Sequence, residues 1–212
     1  MDNKKSIIVF GATGKTGQYV WQKAVQQGHD VTVFVRSTSK IDGEARVNIV
    51  QGDVFDAEFV ASAVANHDVA IVCLGSISLK DKATLTAGTQ NVVDGMVQHA
   101  TGDHGSGRLI VLSAAGANES WAQIGWMSRI LFKTMLRNVF ADHHTQEAVV
   151  TASPLEWTIV RAAILKDNPE TGQCTVSNTA RSGNINREDV AEFLVKQVTD
   201  MSYIRQAISI TG

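Results

Sequence analysis

Short apolar runs rich in β-branched residues alternate along this chain with stretches whose apolar positions recur every three or four residues. Ile7-Ile8-Val9-Phe10, Val31-Thr32-Val33-Phe34-Val35 and the run from Val47 to Gln51 read as strands. So do Val69-Ala70-Ile71-Val72-Cys73-Leu74, Leu109-Ile110-Val111-Leu112, Glu156-Trp157-Thr158-Ile159-Val160 and the run from Ala207 to Ile210. The fourth run is apolar almost throughout, as suits a strand covered on both faces. Helical spacing joins Val20, Ala24 and Val25, then Phe59, Val60, Ala63 and Val64 behind a capping Asp56, then Leu85, Val92, Val93, Met96, Val97 and Ala100. A further helix is expected roughly from Asp142 to Thr151. A last one starts at Asn186, with Asp189 three residues on, and carries Val190, Phe193, Leu194 and Val198. Strand followed by helix, repeated, predicts an α/β protein with a doubly wound parallel sheet of order 3-2-1-4-5-6 plus an extra strand, and helices on both faces. The 212 residues suit a single domain, 1–212, elaborated in about 114–141 and 162–186.

The first strand runs into Gly11-Ala12-Thr13-Gly14-Lys15-Thr16-Gly17, which opens the first helix. A strand feeding a glycine-rich turn at a helix N-terminus is a geometry that holds a phosphate. Gly11 permits the tight turn, Gly14 lets a pyrophosphate approach the backbone, and Gly17 lets the helix pack close to the strand. The unpaired N–H groups and positive dipole end of the helix then face the anion. With a second strand at Val31 to Val35, the whole reads as a Rossmann-like βαβ unit. The rival P-loop needs a longer gap before Gly-Lys-Thr. Gly11 stands only three residues ahead of Gly14, so a mononucleotide kinase or ATPase is disfavoured.

Which dinucleotide is bound depends on the end of the second strand. An NAD site carries an acid there for the ribose 2′-hydroxyl. This chain has Val35-Arg36, 19 residues beyond Gly17, and no acid before Asp42. Arg36 offers a planar fork of donors to a 2′-phosphate, with Ser37, Ser39 and Lys40 at hand, so NADP(H) is the expected cofactor. Asp53 and Val54 end the third strand beside the adenine position. The Asp53 carboxylate can accept from the adenine amino group, or it serves the Gly-Asp turn alone. Leu74, Gly75 and Ser76 end the fourth strand at the switch point where a dinucleotide crosses the sheet.

Nineteen basic and 21 acidic residues give a formal charge of −2, which removes any electrostatic argument for nucleic acid. No apolar run approaches the ~20 residues of a membrane span, and Met1 to Lys5 leads straight into the first strand without room for a secretory signal. Cys73 and Cys174 form neither a disulfide framework nor a metal cluster, so a reducing, cytoplasmic setting is expected. Trp121, Ile124, Trp126, Ile130, Leu131, Met135 and Phe140 crowd one segment, with Arg129, Lys133 and Arg137 at four-residue intervals. A helix across the sheet, or a partner or dimer contact over 121–140, is preferred there to a membrane-surface helix.

Gly11-x-x-Gly14-x-x-Gly17, Gly52-Asp53-Val54, Leu74-Gly75 and Trp157-Thr158-Ile159-Val160-Arg161 together resemble the NAD(P)H-binding atypical short-chain dehydrogenases, the group of NmrA-like proteins and biliverdin IXβ reductase. Val31-Thr32-Val33 with Arg36, and Asp142-His143, look closest to the flavin and biliverdin IXβ reductase branch. The resemblance implies an NADPH-dependent reductase of flavins, biliverdin-like molecules or related conjugated acceptors. Two departures stand out. That branch has Thr-Ser at the end of the fifth strand, where this chain has Ser113-Ala114, and Pro-Pro-His after the sixth, where it has Ala162-Ala163-Ile164.

Ordinary short-chain dehydrogenases use a tyrosine with a lysine one helical turn on. Only Tyr19 and Tyr203 are present. Tyr19 and Lys23 have the spacing but sit in the helix after the phosphate loop, and Tyr203 has Ala207 in place of the lysine. Hydride transfer to a conjugated acceptor needs less, since the acceptor delocalises the charge and its proton can come from solvent. Ser113 is then the candidate for hydrogen bonding to carboxamide or substrate, or it is a strand-end hydroxyl. His143 is a candidate at the pocket rim, or a solvated helix-terminal residue. Arg161 anchors an anionic substrate tail or braces the loop after the sixth strand. The alternative is a non-catalytic NADP(H)-binding redox sensor of NmrA type, with 121–140 as its partner surface.

Overall fold

The computed structural model describes residues 4–38, 41, 46–76, 83–100, 107–115, 137–177 and 183–212. Strands β1 (Ser6–Phe10), β2 (Asp30–Val35), β3 (Val47–Gln51), β4 (Val69–Val72), β5 (Arg108–Ala114) and β6 (Glu156–Ala162) alternate with helices. The helices are α1 (Lys15–Gln26), α2 (Ala57–Val64), α3 (Thr84–His99) and α4 (Arg137–Ala152). After β6 come β7 (Ile164–Lys166), β8 (Thr175–Val176), β9 (Asn184–Asn186), α5 (Arg187–Lys196) and β10 (Gln206–Thr211).

The main sheet runs β3-β2-β1-β4-β5-β6-β10-β8. Every pairing in it is parallel except β10 with β8, and β7 pairs with β9 in a small parallel sheet of its own. The expected order 3-2-1-4-5-6 is therefore present with β10 as the expected extra strand, and β8 and the β7–β9 pair are additions to it. β8 and β9 are two and three residues long, too short to show a period.

Side chains alternate across the central strands. Ile7 and Val9 enter the core under α1 and α5, whereas Ile8 and Phe10 enter the core under α2, α3 and α4. All four are fully buried, which explains why β1 reads as a continuous apolar run. At the opposite end of the strands from the phosphate turn, buried Arg108 links three elements. Its guanidinium donates to the carbonyls of Gln197 and Glu156 and to Thr158 Oγ1. Burial pulls its pKa down to about 10.

Local capping only partly followed expectation. Asp56 caps α2, accepting from the N–H of Phe59 at 3.1 Å. Helix α4 begins at Arg137, so Asp142 lies inside it. Its carboxylate instead takes the N–H groups of Leu85 and Thr86 at 2.9 Å each, capping α3 from a distance in sequence. Asn186 is the N-cap of α5 by backbone geometry, but its side chain makes no capping bond. It donates to Asp189, whose carboxylate also takes the N–H groups of Thr171 and Gly172. Asp189 thus secures the loop before β8 rather than a capping box.

Candidate functional site

The β1–α1 turn is shaped by close contacts that a side chain would break. Gly11 has φ +77°, and a Cβ there would lie 2.3 Å from the carbonyl oxygen of Cys73 at the end of β4. A Cβ on Gly17 would lie 2.2 Å from the Gly11 carbonyl oxygen. Gly14 differs: it is the N-cap of α1 in an extended conformation, and its Cβ position meets only the Gly11 oxygen, at 3.1 Å. No side chain caps α1, and no acid occupies its first turn. The helix start is left open to an anion.

This turn borders a groove of about 280 Å³ that follows the C-terminal ends of the strands. Of the residues expected in a dinucleotide site, Gly11, Thr13, Gly14, Arg36, Asp53, Val54, Leu74, Gly75 and Ser76 line it. Sequence reasoning missed Phe34, Val35, Phe55, Cys73 and Thr84, which line it as well. Phe34, Val35 and Cys73 belong to strand ends already assigned, so their nearness was there to be read. Phe55 is brought in by the turn before α2, and Thr84 is the first residue of α3. Phe55 is 48% exposed, an unusual amount for a phenylalanine.

Two features of the groove wall point to a ligand. Nothing lies within 4 Å of where a Cβ on Gly75 would stand. Beside it, Ser76 Oγ is buried without a hydrogen-bond partner among the described residues, a costly arrangement unless a bound group completes it. Arg36 is exposed at the β2 end, with its carbonyl taking the Gln51 side-chain amide. Asp53 Oδ1 accepts from the Phe55 N–H at 3.1 Å, so the turn role of this carboxylate is real. Burial pushes the Cys73 thiol up to about 12, leaving it a small apolar wall. These residues fit a dinucleotide: an open helix terminus, open space beside Gly75, a hydroxyl with no partner among the described residues and a terminal guanidinium.

Other expected positions lie off the groove. Lys15 is exposed and pairs with Asp167 at 2.9 Å; Arg187 also reaches Asp167. Thr16 and Gly17 are buried in the turn, and Ser37 is exposed. Ser39, Lys40 and Asp42 lie outside the described residues, as does 116–136, most of the 114–141 elaboration and of the suggested partner surface at 121–140.

Ser113 and His143 both face α4 chemistry that the sequence did not announce. Ser113 Oγ donates to Glu147 Oε1 at 2.7 Å. Arg161 Nε donates to the same oxygen at 3.1 Å, and Nη2 donates to Oε2 at 2.8 Å. All three residues are buried, and Arg161 braces the Glu147 carboxylate. His143 stands well inside α4, half-buried rather than at a solvated helix end, with Nδ1 3.3 Å from Gln146 Oε1. Burial lowers its pKa, which favours the neutral ring. Glu147 was overlooked because a glutamate in a helix ordinarily reads as a solvated position.

Neither tyrosine lines the groove. Slight burial, then the carboxylates of Glu188 and Asp167, push the Tyr19 hydroxyl upward, opposite to what a general acid needs. Lys23 is held by Glu170 and Glu192. The Tyr203 ring packs on Phe193 at 6.2 Å. Among the described residues no acidic, histidine or cysteine group could hold a metal, and no helix is long and apolar enough to cross a membrane.

Several solved structures share this architecture. The anaerobilin reductase ChuY of Escherichia coli O157:H7 superposes with a TM-score of 0.80 at 23% identity, covering 97% of this chain and 96% of its own. A short-chain dehydrogenase/reductase of Veillonella parvula DSM 2008 in complex with NADP has a TM-score of 0.77 at 19% identity, over 98% and 95% of the two chains. A Streptococcus pneumoniae TIGR4 protein assigned as an NADH-flavin reductase has a TM-score of 0.73 at 22% identity, over 98% and 99%. At these identities the likeness is one of fold. Among curated plant relatives, an isoflavone reductase homolog of Zea mays is 33% identical over 92 residues, 39% of this chain and 30% of its own. The chain spans 65% and 32% of the length of two further plant relatives, under two thirds in all three cases. The family described as NAD(P)H-binding matches residues 11–201. Together with the glycine turn, the strand order and the groove, that match means that the chain belongs to the NAD(P)H-binding family.

Proposed function

We propose that this protein is an NADPH-dependent reductase that passes a hydride to a flavin, a biliverdin-like molecule or a related conjugated acceptor, and that it works in the cytoplasm. The observation that carries the reading is the groove. The open start of α1 at Gly14, the open space beside Gly75, the Ser76 hydroxyl that has no partner among the described residues, and Arg36 share one cleft that neither tyrosine lines. Gly14 and the first N–H groups of α1 would hold the pyrophosphate, and Arg36 the 2′-phosphate, with Ser37 beside it. Phe34, Val54 and Phe55 provide apolar walls at the adenine end. Leu74, Gly75 and Ser76 carry the groove across the switch point toward Ser113.

Bound NADPH supplies the hydride at the nicotinamide ring. The protein's share is orientation and exclusion of water, because a conjugated acceptor takes its proton from solvent. The proteins named anaerobilin reductase and NADH-flavin reductase share this fold, which supports an acceptor of that kind. Two free cysteines, one of them buried, accord with a reducing compartment. The test is anaerobic NADPH oxidation with FMN and with biliverdin IXβ as separate acceptors. Saturable turnover well above the protein-free rate is expected with at least one. NADPH binding without turnover of either would overturn the acceptor assignment and favour a sensor of NADP(H) redox state.

A further inference from the structure

A buried trio stands at the C-terminal ends of β5 and β6, apart from the groove residues. Ser113 and Arg161 are register partners on adjacent strands, and Glu147 reaches them from α4. Arg161 places one N–H on each oxygen of the Glu147 carboxylate. A carboxylate held in this fork is the ionised form, which only accepts hydrogen bonds. Ser113 has a single proton to give, and Glu147 Oε1 takes it at 2.7 Å. The Ser113 oxygen keeps its lone pairs and nothing else. Its position matters because Val72 pairs with Val111 across β4 and β5. Continued two residues past that last pair, the same register sets Ser113 level with Leu74, a groove residue.

We infer that Glu147, fixed by Arg161, is a positioning residue that makes Ser113 an acceptor-only group, so that the nicotinamide end of the groove selects an amide over a carboxylate. The inference rests on the dinucleotide reading above. The carboxamide of a nicotinamide ring has N–H groups to donate. A nicotinic-acid ring has none. Arg161 keeps the Glu147 carboxylate charged and in place.

The test compares, by titration calorimetry, binding of NADP, its nicotinic-acid analogue and 2′,5′-ADP, which lacks the ring altogether. The wild-type protein should prefer NADP over the acid analogue by about tenfold, one hydrogen bond's worth. Ser113→Ala should remove the preference and leave 2′,5′-ADP binding unchanged. Glu147→Gln offers Ser113 an amide donor and frees its proton, so it should narrow the preference. With Ser113 already replaced by Ala, it should change nothing further. Should Glu147→Gln not fold, Glu147→Leu with Arg161→Met removes both charges together and carries the same expectation. Equal wild-type affinity for the two ring forms, an undiminished preference in Glu147→Gln, or additive effects of the two changes would each overturn the inference. Wild-type protein that binds none of the three, 2′,5′-ADP included, would remove the dinucleotide reading itself, and the inference with it.

Discussion

Gly14 and Gly17 lie three residues apart in one turn, and the structure gives them opposite tasks. Changing each to alanine therefore separates binding from folding. At Gly17 the new methyl carbon would sit 2.2 Å from the Gly11 carbonyl oxygen and 2.9 Å from its carbon. That is about 1 Å inside ordinary contact, against backbone that has no rotamer to yield. Overpacking of this kind costs about 1–3 kcal/mol or more, and the helix propensity gained over glycine returns about 1 kcal/mol. A net loss of about 1–2 kcal/mol should lower the melting temperature by about 2–8 °C in a chain of this size. At Gly14 the backbone is extended (φ −74°, ψ 158°), which alanine adopts freely, and the nearest atom lies 3.1 Å away. The cost there is about 0.5 kcal/mol of N-cap preference, or about 1–2 °C. The methyl group would stand in the groove wall, however, and NADPH affinity should fall at least about 30-fold, equivalent to about 2 kcal/mol. Thermal melting and calorimetric titration of the two variants read both effects. Unchanged NADPH affinity in Gly14→Ala would refute the phosphate cradle. A Gly17→Ala variant melting like the wild type would refute the close-packing argument.

Three further outcomes are expected. Arg36→Glu should weaken NADPH binding by about 30-fold while leaving NADH little changed; equal loss of both in a titration would remove the 2′-phosphate assignment. Tyr19→Phe should leave the rate of NADPH oxidation intact, since Tyr19 lies toward Glu188 and Asp167 and off the groove; a large fall would show that it takes part. The third concerns acid. Burial holds the His67 ring below its ordinary value of 6.5, while its Nε2 lies 2.8 Å from Thr32 Oγ1. Below pH 6.5 the unfolded chain takes up a proton that the folded ring declines. This contribution to stability is therefore fully present above that pH and is lost on acidification, until the folded ring also protonates. His143, held low mainly by burial, adds to the same slope. Urea denaturation between about pH 7.5 and about pH 5 should show the decline, and His67→Gln should flatten it. Parallel curves for the two proteins would exclude His67 as a source.

What the amino-acid sequence determined unaided was the frame: the β1–glycine turn–α1 unit, the alternation of strands and helices, and the order 3-2-1-4-5-6. These follow from chemistry within a few residues. β-Branched runs favour extended backbone, and apolar spacing sets a buried helix face. Gly11 takes a backbone conformation that side chains resist, and Asp56 finds the Phe59 N–H three residues on. Most groove residues were legible for the same reason, since they occupy strand ends and the turns directly after them. The tertiary structure alone decided which distant groups meet. Asp142 caps a helix 57 residues away at Leu85, Ser113 donates a hydrogen bond to Glu147 across 34 residues, and Arg161, read as an anchor for an anionic substrate or a loop brace, grips that carboxylate. Asp189 serves the loop at Thr171 instead of its own helix. Phe55 and the start of α3 at Thr84 become groove walls only when the fold brings them beside the ends of β1 and β4. A buried polar group must find a partner wherever packing provides one, and no local pattern encodes how far along the chain that partner lies.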